Sequence, residues 1–185
     1  MEFHLAFTPK PFPQQLKHAD KLFLAGSCFT EQIGNKLAGH KFQVLDNPNG
    51  ILFNPISIAK SVVSYIENKQ YTESDLFFQQ ELWGSWEHHT RFSSIDRNKS
   101  LQLINDSQSD AHAFIKEADW LLLTLGSAFV YELENKQVVA NCHKVPTDKF
   151  RKRLLSTEEV VTAFDTMFHR LKQFNPHLKI IFTIS

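Results

Sequence analysis

A nearly continuous apolar run, DWLLLTLG at residues 119–126, lies near the middle of the chain. Such a run is typical of a strand that is buried on both faces of a parallel sheet, where no alternating polar face is needed. Two strand-and-helix units precede it, at residues 21–25 with 30–39 and at residues 42–45 with 54–68. This alternation of strands and helices predicts an α/β protein.

The rest of the chain adds elements of the same kind. Residues 71–97 are aromatic and irregular, and we expect short strands or a loop there. Residues 100–118 predict a long or broken helix, 129–133 and 137–140 a hairpin, 156–171 a capped helix and 178–184 a last strand. We therefore predict a three-layer α/β/α sandwich with a mainly parallel sheet, in which residues 1–185 form a single domain. In such folds ligands bind in a crevice at the carboxyl ends of the strands.

Composition excludes several classes of function. The chain has 20 Lys plus Arg and 20 Asp plus Glu, so no excess of positive charge favours binding to nucleic acid. Four cations lie at residues 149–153, and the acidic residues that follow them predict a solvated surface turn. The longest apolar run, residues 120–123, is far too short to span a membrane. Two cysteines and an N-terminus without a leader-like apolar segment predict a reduced, cytoplasmic protein.

The segment Gly26-Ser27-Cys28-Phe29, at the exit of the first predicted strand, is the strongest candidate for chemistry. A thiol between a parallel strand and the next helix lies near helix N–H groups, which can lower its pKa and stabilise an oxyanion. The alternative is that Cys28 is a small buried apolar residue, as most lone intracellular cysteines are.

Five ordered motifs carry a resemblance to a known family: LAGSCFT at residues 24–30, GILFNPIS at 50–57, SWEHH at 85–89, LTLG at 123–126 and NCHK at 141–144. From about residue 3 onward the chain resembles the GSCFA-domain family. That family resembles the SGNH, or GDSL-like, hydrolases, which are flavodoxin-like α/β/α sandwiches that cleave esters. The resemblance implies a small-molecule or acylated substrate and no cofactor.

The resemblance also implies roles for individual residues. Gly26-Ser27-Cys28 matches the Gly-Asp-Ser block, so Cys28 takes the place of the nucleophile, although Ser27 remains an alternative. Gly50 matches the glycine whose N–H lines the oxyanion hole. Gly126-Ser127-Ala128 replaces Gly-x-Asn, so the amide donor is missing unless Ser127 or a backbone N–H substitutes. The Asp-x-x-His motif that supplies the base would follow the last strand, and we expect the chain to be the first part of a longer domain.

Other histidines could replace the missing base. We predict that His88 or His143 serves as the base, with His89 and Cys142 in the substrate site. Adjacent residues of a strand point to opposite faces, so at most one of His88 and His89 would face the site. Convergence of Cys28, His88 or His89, Cys142 and His143 would instead make a Cys2His2 zinc site. A third alternative is a non-catalytic binding module. Three phenylalanines lie on or just after the last predicted helix: Phe164, Phe168 and Phe174. We expect them to belong to the core, or to form a homodimer interface if they are exposed.

Overall fold

The computed structural model of the protein describes residue 8 and residues 10–184. Nine strands and four helices are found in this part of the chain. In chain order they are β1 Lys21–Gly26, α1 Cys28–Gly39, β2 Gln43–Asp46, α2 Pro55–Glu67, β3 Phe77–Gln79, β4 Leu82–Gly84, α3 Arg97–Lys116, β5 Trp120–Leu125, β6 Phe129–Glu132, β7 Val138–Val139, β8 Arg151–Leu154, α4 Thr157–Phe174 and β9 Lys179–Ile184.

The central sheet has the order β2-β1-β5-β9, and all its neighbouring strands are parallel. Residues of β1 and β5 alternate between its two faces, so that Leu22, Leu24 and Trp120 pack against α1. On the opposite face, Phe23 and Leu121 belong to the larger core, which α2, α3 and α4 complete. The predicted three-layer α/β/α fold with a mainly parallel sheet is confirmed.

Local capping explains where the helices begin. The Asn54 side chain accepts the N–H of Ser57 at 2.8 Å, and Pro55 occupies the first turn of α2. Ser156 and Glu159 form a capping box at the start of α4. The segment predicted as a long or broken helix is α3, a single helix of 20 residues.

The predicted hairpin is confirmed as β6 and β7, and the short strands expected among the central aromatic residues are β3 and β4. The prediction of a surface turn at residues 149–153 is wrong, because β8 pairs antiparallel with β6 and gives a second sheet of order β7-β6-β8. Arg153 of β8 donates to Glu132 at 2.7 Å and to Glu159 at 2.6 Å, which fixes the strand against α4.

The phenylalanines near the end of α4 lie in the core, as predicted. Phe164 is buried, and Phe168 and Phe174 pack partly buried against the same cluster. Across residue 8 and residues 10–184, no helix is both long and apolar enough to cross a membrane.

Candidate active site

Cys28 lies where the sequence predicted a nucleophile, at the carboxyl end of a central parallel strand. It is the first residue of α1 and is exposed, whereas the preceding Ser27 is buried at the N-cap. The N–H of Thr30 donates to the Ser27 carbonyl at 2.9 Å. The N–H groups of Cys28 and Phe29 precede the hydrogen-bond ladder of the helix, and helix N–H groups at this place can bind an anion beside the thiol. Gly26 has a φ of +143° and lies so close to Thr124 of β5 that a Cβ would overlap the Thr124 carbonyl.

The turn after β2 forms the second wall of this site. The Asn47 side chain accepts the N–H of Gly26 at 2.8 Å, and the N–H of Leu52 donates to the Gly26 carbonyl at 2.9 Å. Gly50 has a φ of +83°, and a Cβ there would overlap the Cβ of His89. The Gly50 N–H, which the resemblance assigns to the oxyanion hole, donates to the Asn47 carbonyl at 2.7 Å.

His89 lies directly on this glycine turn. Its N–H donates to the Asn49 carbonyl at 2.8 Å, and its ring Nδ1 accepts the N–H of Arg91 at 3.3 Å. Burial, and then the charge of Arg91, lower the pKa of His89, so the ring is neutral at pH 7. Because Nδ1 is an acceptor, the neutral ring carries its proton on Nε2. His89 Nε2 has no hydrogen-bond partner among residue 8 and residues 10–184.

The two histidines predicted as bases have other partners. His88 is 1% exposed, its Nδ1 lies 3.0 Å from the Ser85 hydroxyl, and its buried Nε2 has no partner among the described residues. Burial lowers its pKa to about 3. His143 Nε2 lies 2.8 Å from the Ser85 carbonyl, and its ring packs edge-on against Trp86. Burial also lowers the pKa of His143, and both rings therefore brace the loop around Ser85.

Charged residues that the sequence analysis did not single out hold this loop in place. Glu87 forms ion pairs with Lys60 at 2.5 Å and Lys69 at 3.3 Å and accepts the Tyr71 hydroxyl at 2.8 Å. Burial alone would raise the pKa of Glu87, but Lys60, Lys69 and Tyr71 outweigh it and lower the pKa to about 2. The position of Glu87 in the middle of an aromatic segment was the sequence feature that could have indicated this role.

Arg91 is a further residue that the sequence analysis missed. Its guanidinium donates to the Asn47 carbonyl, and its Nη1 lies 3.9 Å from Glu31 in the first turn of α1. Arg91 therefore ties the segment that carries His89 to the helix that begins at Cys28. Among the described residues, no histidine forms a hydrogen bond with the Cys28 sulfur.

The loop after β5 opens a cleft beside this site. The Gly126 N–H donates to the Phe53 carbonyl at 3.0 Å, and the exposed Ser127 uses its hydroxyl to accept the Phe129 N–H at 3.1 Å. The cavity there has a volume of about 390 Å³, and we call it the aromatic cleft. Its lining includes Phe53, Phe129, Tyr131, Val139, Cys142 and Lys152. Burial raises the pKa of the Cys142 thiol.

The cysteines and histidines considered for zinc do not form a coordination group among the described residues. Within the part of the chain that the structure describes, no set of three or more His, Cys, Asp or Glu residues is placed to hold a metal ion. His88 is sealed behind Ser85 and aromatic rings, whereas Cys28 is exposed. The geometry therefore gives no support to the Cys2His2 alternative.

Comparison with known proteins gives one result. The model described as "GSCFA family" matches residues 21–185, which include Cys28, Gly50, His89 and the aromatic cleft. Neither the comparison with curated proteins nor that with solved structures found a match.

Proposed function

The chain belongs to the GSCFA family, and we propose that it hydrolyses an ester or acyl group through a thioester formed on Cys28. The observation that carries this proposal is the placement of an exposed thiol on the first residue of α1, at the end of β1. The positive φ angles of Gly26 and Gly50 are further support, because glycine leaves both turns, after β1 and after β2, without a side chain at these two positions.

The reaction proceeds in two displacements. Cys28 first loses its proton to water, and the thiolate attacks the carbonyl carbon of the ester. The bond between this carbon and the alcohol oxygen then breaks, and the leaving alkoxide takes a proton from water. A second water then cleaves the thioester, which releases the carboxylic acid and restores the thiol. The negative oxygen of each tetrahedral intermediate is stabilised by the N–H groups of the first turn of α1.

His89 supplies a further hydrogen-bond donor in this proposal. Its neutral ring carries a proton on Nε2, because Nδ1 accepts the Arg91 N–H. A donor at this place compensates for the amide that is missing at residues 126–128, as a fixed donor to an oxyanion is worth about a hundredfold or more in rate. His89 thereby acts on the carbonyl oxygen, and the thiolate of Cys28 is the attacking group.

The test is hydrolysis of 4-nitrophenyl acetate by the purified protein. We expect a stoichiometric burst of 4-nitrophenolate, an acetyl group on Cys28 detected by mass spectrometry, and a rate that rises with pH because the thiolate is the attacking species. Cys28→Ala should lower the rate to that of the uncatalysed reaction. In the same assay His89→Ala should lower kcat by about a hundredfold.

Cys142→Ala is the matched control, because it removes the only other thiol of the chain. It should retain the burst and the acetylated Cys28. Retention of full activity by Cys28→Ala, or acetylation confined to Cys142, would show that Cys28 is not the nucleophile.

A non-catalytic binding module is the second candidate. The observations that favour it are that the Gly50 N–H already donates to Asn47 and that no described histidine reaches the Cys28 sulfur. A protein that binds carboxylic acids but gives neither burst nor acetylated Cys28 would support this candidate against the hydrolase.

A further inference from the structure

The aromatic cleft combines an apolar wall with one unpaired cation. Phe53 and Phe129 are 49% and 48% exposed, which is high for phenylalanine and leaves two rings open to a ligand. Lys152 Nζ lies 4.7 Å from the centroid of the Phe129 ring and 5.8 Å from that of Tyr131. A volume of about 390 Å³ falls in the range of small-molecule sites.

The alternation of β8 separates its charges onto two faces. Arg153 points away from the cleft and is fully engaged by Glu132 and Glu159. Lys152 faces the cleft and forms no ion pair with any carboxylate of the described residues. A cation over two aromatic rings, without an acidic partner, leaves its charge available to an anion at the mouth of the cleft.

A larger groove, of about 670 Å³, lies between α2 and α4 on the other face of the β6–β8 sheet. Its central charges are already paired with one another, since Arg153 joins Glu132 to Glu159. The aromatic cleft differs in offering an unpaired cation beside open rings. It lies at the same carboxyl edge of the parallel sheet as the candidate nucleophile, because the N–H of Gly126, after β5, donates to the Phe53 carbonyl and the N–H of Leu52 donates to the carbonyl of Gly26, at the end of β1.

We infer that the aromatic cleft binds a molecule with an apolar body and an anionic end group, in which the body lies on Phe53 and Phe129 and the anion pairs with Lys152. The binding itself is independent of catalysis. Its identification as the acyl part of a substrate rests on the proposed hydrolysis by Cys28, which would then act on acyl groups that end in a carboxylate or phosphate.

Cys142 provides a direct readout of occupancy, since it lines the cleft. Cys28→Ala leaves Cys142 as the only thiol of the chain, so its alkylation by N-ethylmaleimide can be followed without interference. We expect 3-phenylpropionate to slow this alkylation saturably. The neutral 3-phenylpropanamide has nearly the same shape but cannot form an ion pair with Lys152. It should protect Cys142 with an affinity about two- to fivefold lower, which corresponds to the loss of one partly exposed ion pair. Phenyl phosphate in a third arm distinguishes a phosphate site from a carboxylate site.

Lys152→Gln in the Cys28→Ala background should remove the difference between acid and amide. Lys149→Gln is the matched control, because it removes a nearby cation that does not line the cleft. Equal protection by acid and amide in the parent protein, or an unchanged preference in Lys152→Gln, would overturn the role of Lys152. Absence of protection by any of the three compounds would overturn the cleft as a binding site.

A second assay separates this inference from the proposed function. With Cys28 intact, mono-4-nitrophenyl adipate should be hydrolysed with a kcat/KM about two- to fivefold higher than 4-nitrophenyl hexanoate, and Lys152→Gln should abolish the preference. If neither ester is hydrolysed but 3-phenylpropionate still protects Cys142, the hydrolase proposal fails and the binding site stands. If both esters are hydrolysed equally and nothing protects Cys142, only the inference about the cleft fails.

Discussion

Burial keeps His88 uncharged in the folded protein. Its ring is enclosed by Tyr71 and Phe92 at centroid distances of 4.8 and 5.4 Å, and burial lowers its pKa from 6.5 to about 3. The nearby Glu87 and Asp75 raise the pKa and Lys69 and His143 lower it, but none of them outweighs the burial. An imidazole that can be protonated only after unfolding links stability to pH.

We expect the protein to lose stability as the pH falls from 7 to 5. Between the ordinary pKa of His88, 6.5, and its lowered value near 3, the unfolded chain binds a proton that the folded protein does not. The contribution is therefore present above pH 6.5 and lost on acidification, by about 2 kcal/mol at pH 5. Urea unfolding at the two pH values measures this difference.

His88→Gln is the variant that isolates this effect. It should shrink the difference between the free energies of unfolding at pH 7 and pH 5 by about 2 kcal/mol. His177→Gln, which removes an exposed imidazole, is the matched control. A pH difference in His88→Gln as large as that of the wild type would contradict a buried neutral ring at residue 88.

The histidines also mark where sequence information ended. From the motifs we predicted that His88, His89 and His143 belong to the site, and the position of Cys28 at a strand end followed from the strand-and-helix pattern. Which ring nitrogen has a partner could not be predicted, because Ser85 contacts both His88 and His143 through bonds that only the folded loop creates. His89 is the next residue after His88, but it packs on Gly50 and its Nδ1 accepts the Arg91 N–H.

The close approach of β1 and β5 depends on Gly26. Its backbone has a φ of +143°, which L-residues rarely adopt, and its Cα faces the Thr124 carbonyl without room for a Cβ. Ser27 donates its N–H to the same carbonyl at 3.3 Å, so the end of β1 and the start of α1 are fixed to β5 together.

Gly26→Ala should therefore destabilise the protein and displace Cys28. Strain at a positive φ and overlap with the β5 backbone together predict a loss of roughly 2–5 kcal/mol in the free energy of unfolding. Chemical denaturation measures this loss. Gly39→Ala is the matched control, because no atom lies within 4 Å of the position that its Cβ would occupy. Comparable stability in the two variants would refute the close approach.

The strand β8 shows why periodicity failed where it otherwise succeeded. The buried strand β5 was predicted from its nearly continuous apolar run, and the helices α2 and α4 were predicted from apolar positions that repeat at helical spacing. The sequence RKRL of β8 has three successive cations, so its alternation does not appear as polar and apolar residues. It forms a strand because it pairs with an edge of β6. Its charges are accommodated on its two faces, since Arg153 pairs with Glu132 and Lys152 lies over the Phe129 ring.

One buried amide links the end of α4 to the segment between α3 and β5. Asn175, which ends α4 and is 7% exposed, donates to the carbonyls of Ile115 at 3.1 Å and Ala118 at 2.8 Å. These carbonyls end α3 and precede β5. The Asn175 carbonyl also accepts the N–H of Leu178 at 3.3 Å, just before β9. The ends of α3 and α4 and the starts of β5 and β9 thus meet at a single residue, Asn175.

Asn175→Ala should destabilise the whole molecule, because it removes the side-chain donor to two buried carbonyls, of which that of Ile115 still accepts the N–H of Ala118 at 3.4 Å. An unsatisfied buried group costs about 1–3 kcal/mol, so we expect a loss of roughly 1–3 kcal/mol in the free energy of unfolding. Asn135→Ala is the control; it removes a bond to Gln137 in an exposed turn and should change stability by less than about 0.5 kcal/mol. Urea unfolding of the wild type, followed by both far-UV circular dichroism and tryptophan fluorescence, should show one transition, since Asn175 joins the end of α4 to the segment that leads into the strand carrying Trp120. A loss of stability in Asn175→Ala no larger than that in Asn135→Ala would show that this amide does not couple the layers.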